Sequence, residues 1–256
     1  MRLPAEGERL VLDSGQGTRL MACGLDLGTT DPSLWVLDRP EAVVQLHRDD
    51  VAAGADVVLT CTFGANAPTL GRFGRAADVG RVNRVAVGLA RASGARYVFG
   101  SVGPSAGETL CDLQLETLAQ AGVDALLLET FQGMRASNAL EQAIDRMGAI
   151  PVIVSLWDWT GVEPRQLLDL GASAVGINCV SLQTASETLQ QWAQDPTIPW
   201  LLKPNAGRPG ESQASPEAFE HFARQLGALA VRYVGGCCGT TSEHTAALRR
   251  GLGTPV

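Results

Sequence analysis

Three cysteines have the residue type and spacing for metal chemistry. Cys237 and Cys238 are adjacent within the glycine-rich segment GGCCGT (235–240), and Cys179 ends the segment GINC (176–179). Three thiolates that leave a fourth position open match a catalytic zinc site, because structural zinc sites usually close with four protein ligands. The glycines beside the pair allow the backbone to turn both sulfurs toward one ion.

Two other interpretations of these cysteines stay open on the residues alone. Cysteine is among the residue types most often buried, so the three could be small core residues. A glycine-rich segment after a late strand could instead bind phosphate through its backbone amides. A disulfide between the neighbours Cys237 and Cys238 would require a strained peptide, and we discount it.

Two acidic residues and the single lysine of the chain are further candidates. Asp13 and Glu129 each come at the end of an apolar run, where they could hold an ammonium group or act as acid and base. Helix capping is the alternative for each of them. Lys203 could form a Schiff base. Pro204 follows that lysine, and three thiols have no role in such a mechanism, so we do not favour it.

The remaining histidines and cysteines lack the spacing of metal ligands. These residues are His47, His221, His244, Cys23, Cys61 and Cys111. We predict that Cys23 and Cys111 pack in the interior and that His244 lies at the surface in the first turn of the last helix. The direction of Cys61 stays open. Six arginines between positions 72 and 96 predict a solvated helix face, with an acidic partner or a phosphate as the alternative.

A repeated pattern of strands and helices must position these residues. Short apolar runs, typical of parallel strands buried on both faces, recur eight times. The runs are 9–13, 56–63, 97–103, 125–130, 151–156, 174–180, 200–205 and 232–238. Segments with helical spacing fill the gaps, several with Pro or Ser at the start and Gly at the end. Eight such units predict a single (β/α)8 TIM barrel domain over residues 1–256, with a doubly wound open sheet as the alternative.

A barrel would bring the reactive residues together, because catalytic groups of this fold lie at the C-terminal ends of the strands. The residues that fall at these ends are Asp13, Cys61, Ser101, Glu129, Asn178, Cys179, Lys203, Asn205, Cys237 and Cys238. We therefore predict that they share one mouth.

Composition narrows the classes of partner and the compartment. A net charge of −7 argues against general binding to nucleic acid or to an anionic membrane. No apolar run approaches the roughly 20 residues of a membrane span, and the N-terminal residues lack the apolar core of a signal peptide. Six cysteines without a secretion signal suggest reducing conditions. We expect a cytoplasmic protein.

Seven motifs, which cover nearly the whole chain in order, resemble those of the homocysteine S-methyltransferase family. They are LDSGQGT (12–18), TCTFGAN (60–66), GSVGP (100–104), LLLETF (126–131), GINC (176–179), KPNAG (203–207) and GGCCGT (235–240). The separated pair of GINC and GGCCGT is the most specific. The resemblance implies a zinc-bearing (β/α)8 barrel in which Cys179, Cys237 and Cys238 hold Zn²⁺.

The resemblance also assigns substrate contacts. It implies that Asp13 and Glu129 bind the amino group of homocysteine, and that Asn205 lies near the zinc at the open position. Ser101, within GSVGP, joins them as a candidate substrate-binding residue. A free thiol with a pKa near ~8.5 is mostly protonated at neutral pH, and coordination to zinc deprotonates it. We therefore expect direct displacement at the methyl carbon, with methionine as product and no catalytic nucleophile on the protein.

Several departures from the family pattern bear on the methyl donor. Ser14 and Gln16 replace a glycine and a methionine, Cys61 and Lys203 also differ, and the segment after GSVGP lacks the extended loop that helps to bind the donor. We expect a sulfonium donor, either S-methylmethionine or S-adenosylmethionine. A methylcorrinoid, free or held on a partner protein, is the alternative, with homocysteine or another thiol as acceptor. The alternative of another class is a non-catalytic zinc- or ligand-binding subunit.

Overall fold

Eight parallel strands overlap the eight apolar runs of the sequence. The structure is a computed structural model that describes residues 8–105, 110–192, 195–207, 213–227 and 229–253. The strands are β1 (Leu10–Val11), β2 (Val57–Leu59), β3 (Tyr97–Val102), β4 (Ala125–Gln132), β5 (Val152–Asp158), β6 (Ala174–Asn178), β7 (Trp200–Lys203) and β8 (Val231–Val234). The segment after GSVGP, where we predict that a loop is missing, falls partly at 106–109, outside the described residues.

The sheet closes on itself. Its strand order is β1-β8-β7-β6-β5-β4-β3-β2, and every pair of neighbours is parallel. A parallel bridge between Leu12, just after β1, and Val57 of β2 joins the two ends of this order. The prediction of a (β/α)8 TIM barrel is confirmed, and the open doubly wound sheet is excluded.

Helices connect the strands on the outside. They are α1 (Gln16–Ala22), α2 (Trp35–Asp38), α3 (Pro40–Ala52), α4 (Ala67–Gly71), α5 (Val79–Arg91), α6 (Asp112–Gln120), α7 (Arg135–Met147), α8 (Pro164–Asp169), α9 (Leu182–Trp192), α10 (Pro216–Gln225) and α11 (Ser242–Leu252), with 3-10 turns at Pro32–Leu34 and Ala76–Asp78. Proline in the first turn helps to start α3, α4, α8 and α10, since its missing N–H would have no helical partner there. None of the helices in the described ranges has the length and apolar character needed to span a bilayer.

The barrel interior consists of an apolar floor and a polar layer above it. Successive strand residues point alternately into the barrel and toward the helices. Inward apolar residues, among them Phe99, Leu127, Ile153, Ala174 and Leu201, form one buried cluster. Closer to the C-terminal ends, inward positions on five of the strands are polar and buried, and we call them the polar layer: Ser101, Glu129, Ser155, Asn178 and Lys203. The strands therefore present buried polar groups at the mouth.

Two predictions about side-chain location were wrong. Cys23 is exposed, because it follows the last turn of α1 on the side away from the core. His244 is buried, because the first turn of α11 packs on α10, where the imidazole lies edge-on to Phe219 and its Nε2 is 3.0 Å from the carbonyl oxygen of Ala214. Cys111 is partly buried and packs against another buried apolar cluster, which includes Leu70 and Val82, so the prediction for this residue holds in part. The arginines between positions 72 and 96 are mainly exposed, which confirms the solvated face.

Candidate active site

The three candidate metal ligands meet at the mouth of the barrel. Cys179 directly follows β6, and Cys237 and Cys238 lie in the loop after β8. Their Sγ atoms all lie within 4.8 Å of one another. We call these residues the cysteine triad. Among the described residues, it is the one group of three or more His, Cys, Asp or Glu side chains close enough to share a metal ion.

Backbone contacts to the segment after β7 hold the cysteine triad in place. The N–H of Cys179 donates to the carbonyl oxygen of Lys203 at 3.2 Å, and the N–H of Cys237 donates to that of Pro204 at 2.9 Å. The side-chain oxygen of Asn205 accepts from the N–H of Cys238 at 3.0 Å, and its Nδ2 lies 4.0 Å from the Sγ of Cys179. Asn205 therefore contacts two members of the triad.

The thiols of the triad resist deprotonation in the absence of a cation. The hydrogen bond with Cys179 raises the pKa of the thiols of Cys237 and Cys238, and burial adds to the effect. The thiolate forms are therefore disfavoured while the sulfurs face only one another. A metal ion that prefers sulfur ligands would reverse this penalty, because it binds the deprotonated form.

Glu129 lies in the same mouth and is paired with a residue of the chain. Its Oε2 is 3.0 Å from the Nζ of Lys203, and its Oε1 accepts a hydrogen bond from the hydroxyl of Ser101. Burial alone would lower the pKa of Lys203, but the negative charge of Glu129 and the hydrogen bond that Lys203 donates to it outweigh burial and raise the pKa. A Schiff-base lysine needs the neutral amine. The ion pair therefore argues against that chemistry here.

Asp13 lies behind the wall of the mouth. Its Oδ2 accepts from the backbone N–H of Leu59 at 2.9 Å and from the side-chain amide of Gln16 at 2.8 Å. Its Oδ1 is buried and has no hydrogen-bond partner among the described residues. Burial raises the pKa of this carboxyl to about 7, and the positive charge of Lys203 partly offsets the effect. Gln16, which lines the cavity and contacts Asp13, therefore separates Asp13 from a substrate in the cavity.

A cavity of about 310 Å³ opens over these groups. Its lining includes Gln16, Phe63, Ser101, Glu129, Lys203 and the cysteine triad. Asp13 and Asn205 are not part of the lining. Cys61, whose direction the sequence left open, is buried in the wall and its Sγ faces the carbonyl oxygen of Pro32 at 3.5 Å. The volume suits a small-molecule ligand.

Asn178, which the sequence places at a strand end without a specific role, and Thr130, which the sequence did not single out, shape the site beside Glu129. Thr130 follows Glu129 with a φ of 68°, a left-handed conformation that costs a non-glycine residue free energy. The Oδ1 of Asn178 accepts from the Thr130 N–H at 3.0 Å and from the Ser155 hydroxyl at 2.8 Å. Asn178 therefore fixes the backbone beside Glu129. A polar residue at an inward strand position was the signal available in the sequence.

Comparisons with known proteins agree with this geometry. Residues 10–252 match the family described as Homocysteine S-methyltransferase. The chain is 31% identical to the methionine synthase of Mycobacterium tuberculosis, over 92% of this chain but 24% of the relative, so it spans about a quarter of that protein's length. It is 29% identical to the S-methylmethionine–homocysteine S-methyltransferase of Mus musculus, over 96% of this chain and 79% of the relative.

A solved structure shares the fold. The metallated form of a homocysteine methyltransferase from Escherichia coli superposes with a TM-score of 0.79 at 24% identity and covers 97% of each chain. This likeness extends over the whole barrel described above, including the strands whose ends carry the cysteine triad.

Proposed function

Because the chain belongs to the homocysteine S-methyltransferase family, we propose that it transfers a methyl group to the thiol of homocysteine, with a zinc ion held by the cysteine triad. The observation that carries this proposal is the convergence of three sulfurs, within 4.8 Å of one another, on the cavity that Glu129 also lines. A sulfur-rich metal site beside a carboxylate suits a substrate with a thiol at one end and an ammonium at the other.

The spacing of the sulfurs fits zinc. Tetrahedral Zn–S bonds of about 2.3 Å place neighbouring sulfurs about 3.8 Å apart, so the triad, with all sulfurs within 4.8 Å, needs only small side-chain rotations. All three cysteines line the cavity, so a substrate thiol bound in the cavity would supply the fourth ligand of an ion held by the triad. When bound, zinc would lower the pKa of the substrate thiol and make its sulfur a nucleophile at neutral pH.

The chain's own residues would orient the substrate. We infer that Glu129 accepts hydrogen bonds from the substrate ammonium, and that Ser101 holds the carboxylate of Glu129 in the required rotamer. Asp13 would hold the side-chain amide of Gln16 at the wall of the cavity. Asn205 would keep the loop of Cys238 in register through the backbone N–H of that residue. None of these groups has to accept the methyl group itself.

The transfer step is a single displacement. The sulfur of homocysteine forms a bond to the methyl carbon while the bond from that carbon to its leaving group breaks, and the leaving group keeps the electron pair. The thiol proton is lost to solvent before the step, and the products are methionine and the demethylated donor. Orientation of the two reactants in one cavity supplies much of the rate gain expected for such a reaction.

For the donor, the cavity favours a cation. The ring of Phe63 is 43% exposed and forms part of the lining, where the carboxylate of Asp31 also lies. An aromatic face attracts onium groups, by about 0.5–1 kcal/mol at exposed sites. We propose a sulfonium donor such as S-methylmethionine, which the name of the Mus musculus relative also contains. The similarity to methionine synthase keeps a methylcorrinoid donor as the second candidate.

The test is a donor panel with the purified, zinc-loaded chain. Homocysteine is incubated with S-methylmethionine, S-adenosylmethionine or methylcobalamin, and methionine is measured by mass spectrometry. We expect turnover with a sulfonium, and Phe63→Leu should raise the KM for that donor about 2- to 5-fold. Turnover with methylcobalamin alone would favour the second candidate. No turnover with any donor by a zinc-loaded chain would favour a non-catalytic binding subunit.

A further inference from the structure

Lys203, the only lysine of the chain, lies inside the barrel. It donates a hydrogen bond to Glu129, the carboxylate that we propose binds the substrate ammonium. Lys203 is 4% exposed, lines the cavity, and lies 3.0 Å through Nζ from Oε2 of Glu129. Because the ammonium of Lys203 already contacts Glu129, the charge that a ligand meets in this site is different. The ligand must fit a pair of opposite charges rather than a single negative charge.

Charge balance in the buried pair favours a zwitterion. A ligand with only an ammonium would leave the pair with an excess positive charge, and a ligand with only a carboxylate would leave an excess negative charge. Unpaired charge in a buried site is costly. An α-amino acid head group carries both charges and adds no net charge. It can therefore pair with Glu129 and Lys203 at the same time.

The donors and acceptors also suffice. A carboxylate has about four lone-pair directions, and Glu129 uses two of them for Ser101 and Lys203. An ammonium carries three donors, of which Glu129 takes one from Lys203. Both side chains face the cavity that the cysteine triad lines, so the sulfur end of the ligand can lie on the triad while its head group lies on the pair.

We propose that Lys203 binds the carboxylate of the amino-acid substrate while Glu129 binds its ammonium, which makes Lys203 the residue that selects α-amino acid thiols over simple aminothiols. This inference rests on the proposed function. It assigns to Lys203 a substrate contact and excludes the Schiff-base role. A lysine that only neutralises Glu129 would not discriminate between ligands with and without a carboxylate.

The first experiment measures binding of methionine and of its decarboxylated analogue to the zinc-loaded chain by calorimetry. Wild type should bind methionine about 10- to 100-fold more tightly than the analogue, which is the gain in affinity expected from one hydrogen bond to a charged group. Lys203→Met should lose most of that preference. The double variant Lys203→Met with Glu129→Gln replaces the pair with neutral side chains and should also lose it, which covers the case in which the single variant fails to fold.

The second experiment uses the wild type alone. Because the sequence contains one lysine, selective isotope labelling of lysine gives one side-chain NMR signal, that of Lys203. The signal should shift on addition of methionine and shift far less with the decarboxylated analogue. Equal shifts with both ligands, or an unchanged preference in the variants, would overturn the inference alone. Failure of wild type to methylate homocysteine with any donor would overturn the proposed function and this inference with it.

Discussion

The Nζ of Lys203 lies 3.0 Å from the Oε2 of Glu129, although β7 and β4 are not neighbours in the barrel. The two side chains reach each other through the barrel interior, above the apolar floor. The ion pair joins β4, which carries Glu129, to β7, whose last residue also accepts a hydrogen bond from the N–H of Cys179. Because both side chains are buried, removal of either charge would leave the other without a counter-charge.

Removal of the negative partner should cost both stability and binding. Glu129→Gln leaves the buried ammonium of Lys203 without its counter-charge, so we expect the free energy of unfolding to fall by about 3–5 kcal/mol. The affinity for homocysteine should fall, while the zinc content stays unchanged. Urea denaturation and calorimetry measure the two effects. Glu187→Gln, on the exposed face of α9, is the control and should stay within about 0.5 kcal/mol of wild type. Equal stabilities of the two variants would contradict a buried pair.

The position of Cys237 should depend on a glycine from the opposite end of the chain. A Cβ at Gly15 would lie 2.2 Å from the carbonyl oxygen of Cys237, so Gly15→Ala must displace the loop that carries two of the proposed zinc ligands. We expect zinc affinity to fall about 10-fold or more, in the range of changes that disturb ligand orientation. Gly17→Ala is the matched control, because nothing lies within 4 Å of its added Cβ. Chelator competition gives both affinities, and a similar loss in the control would refute the steric account.

Asn178 should stabilise the mouth more than an ordinary polar residue does. Asn178→Ala removes the acceptor of the Thr130 N–H and of the Ser155 hydroxyl. Each of these two groups left without a partner costs about 1–3 kcal/mol, so we expect a loss of about 2–6 kcal/mol in the free energy of unfolding. Denaturation measures this loss, with Gln183→Ala on the exposed side of α9 as the control. A loss no larger than that of the control would remove Asn178 from its positioning role.

Asp13 should make stability depend on pH. Burial raises its pKa in the folded state to about 7, from an ordinary value of 3.8. Between these values the folded state binds more protons than the unfolded state. Stability is therefore fully present below the lower value and declines as the pH rises through the higher one. This decline in the free energy of unfolding should amount to a few kcal/mol. Asp13→Asn should remove it. Denaturation of both proteins at about pH 4 and about pH 8 tests it, and parallel profiles would be evidence against the shift.

Much of the candidate site could be predicted from the sequence, because the site residues stand at the ends of the apolar runs that form the strands. The apolar runs predict the barrel, and the barrel brings Cys179 and Cys237 together because β6 and β8 flank β7. The Glu129–Lys203 pair was beyond reach, because contact across the interior depends on register and on rotamers that no local pattern encodes. The burial of His244 was missed for a similar reason, since it depends on how α11 packs against α10. The place of Asp13 behind Gln16 likewise depends on the path of the chain into α1.

The most direct test of the central claim is metal analysis of the chain prepared without chelators. Wild type should contain about one zinc ion per chain, and Cys238→Ala should lose both the metal and methyl transfer to homocysteine while keeping its circular dichroism spectrum. Cys61→Ala removes a buried thiol from the wall of the same cavity and should keep the zinc. A wild type without stoichiometric zinc, or a Cys238→Ala variant that retains it, would contradict the assignment of the cysteine triad as the metal site.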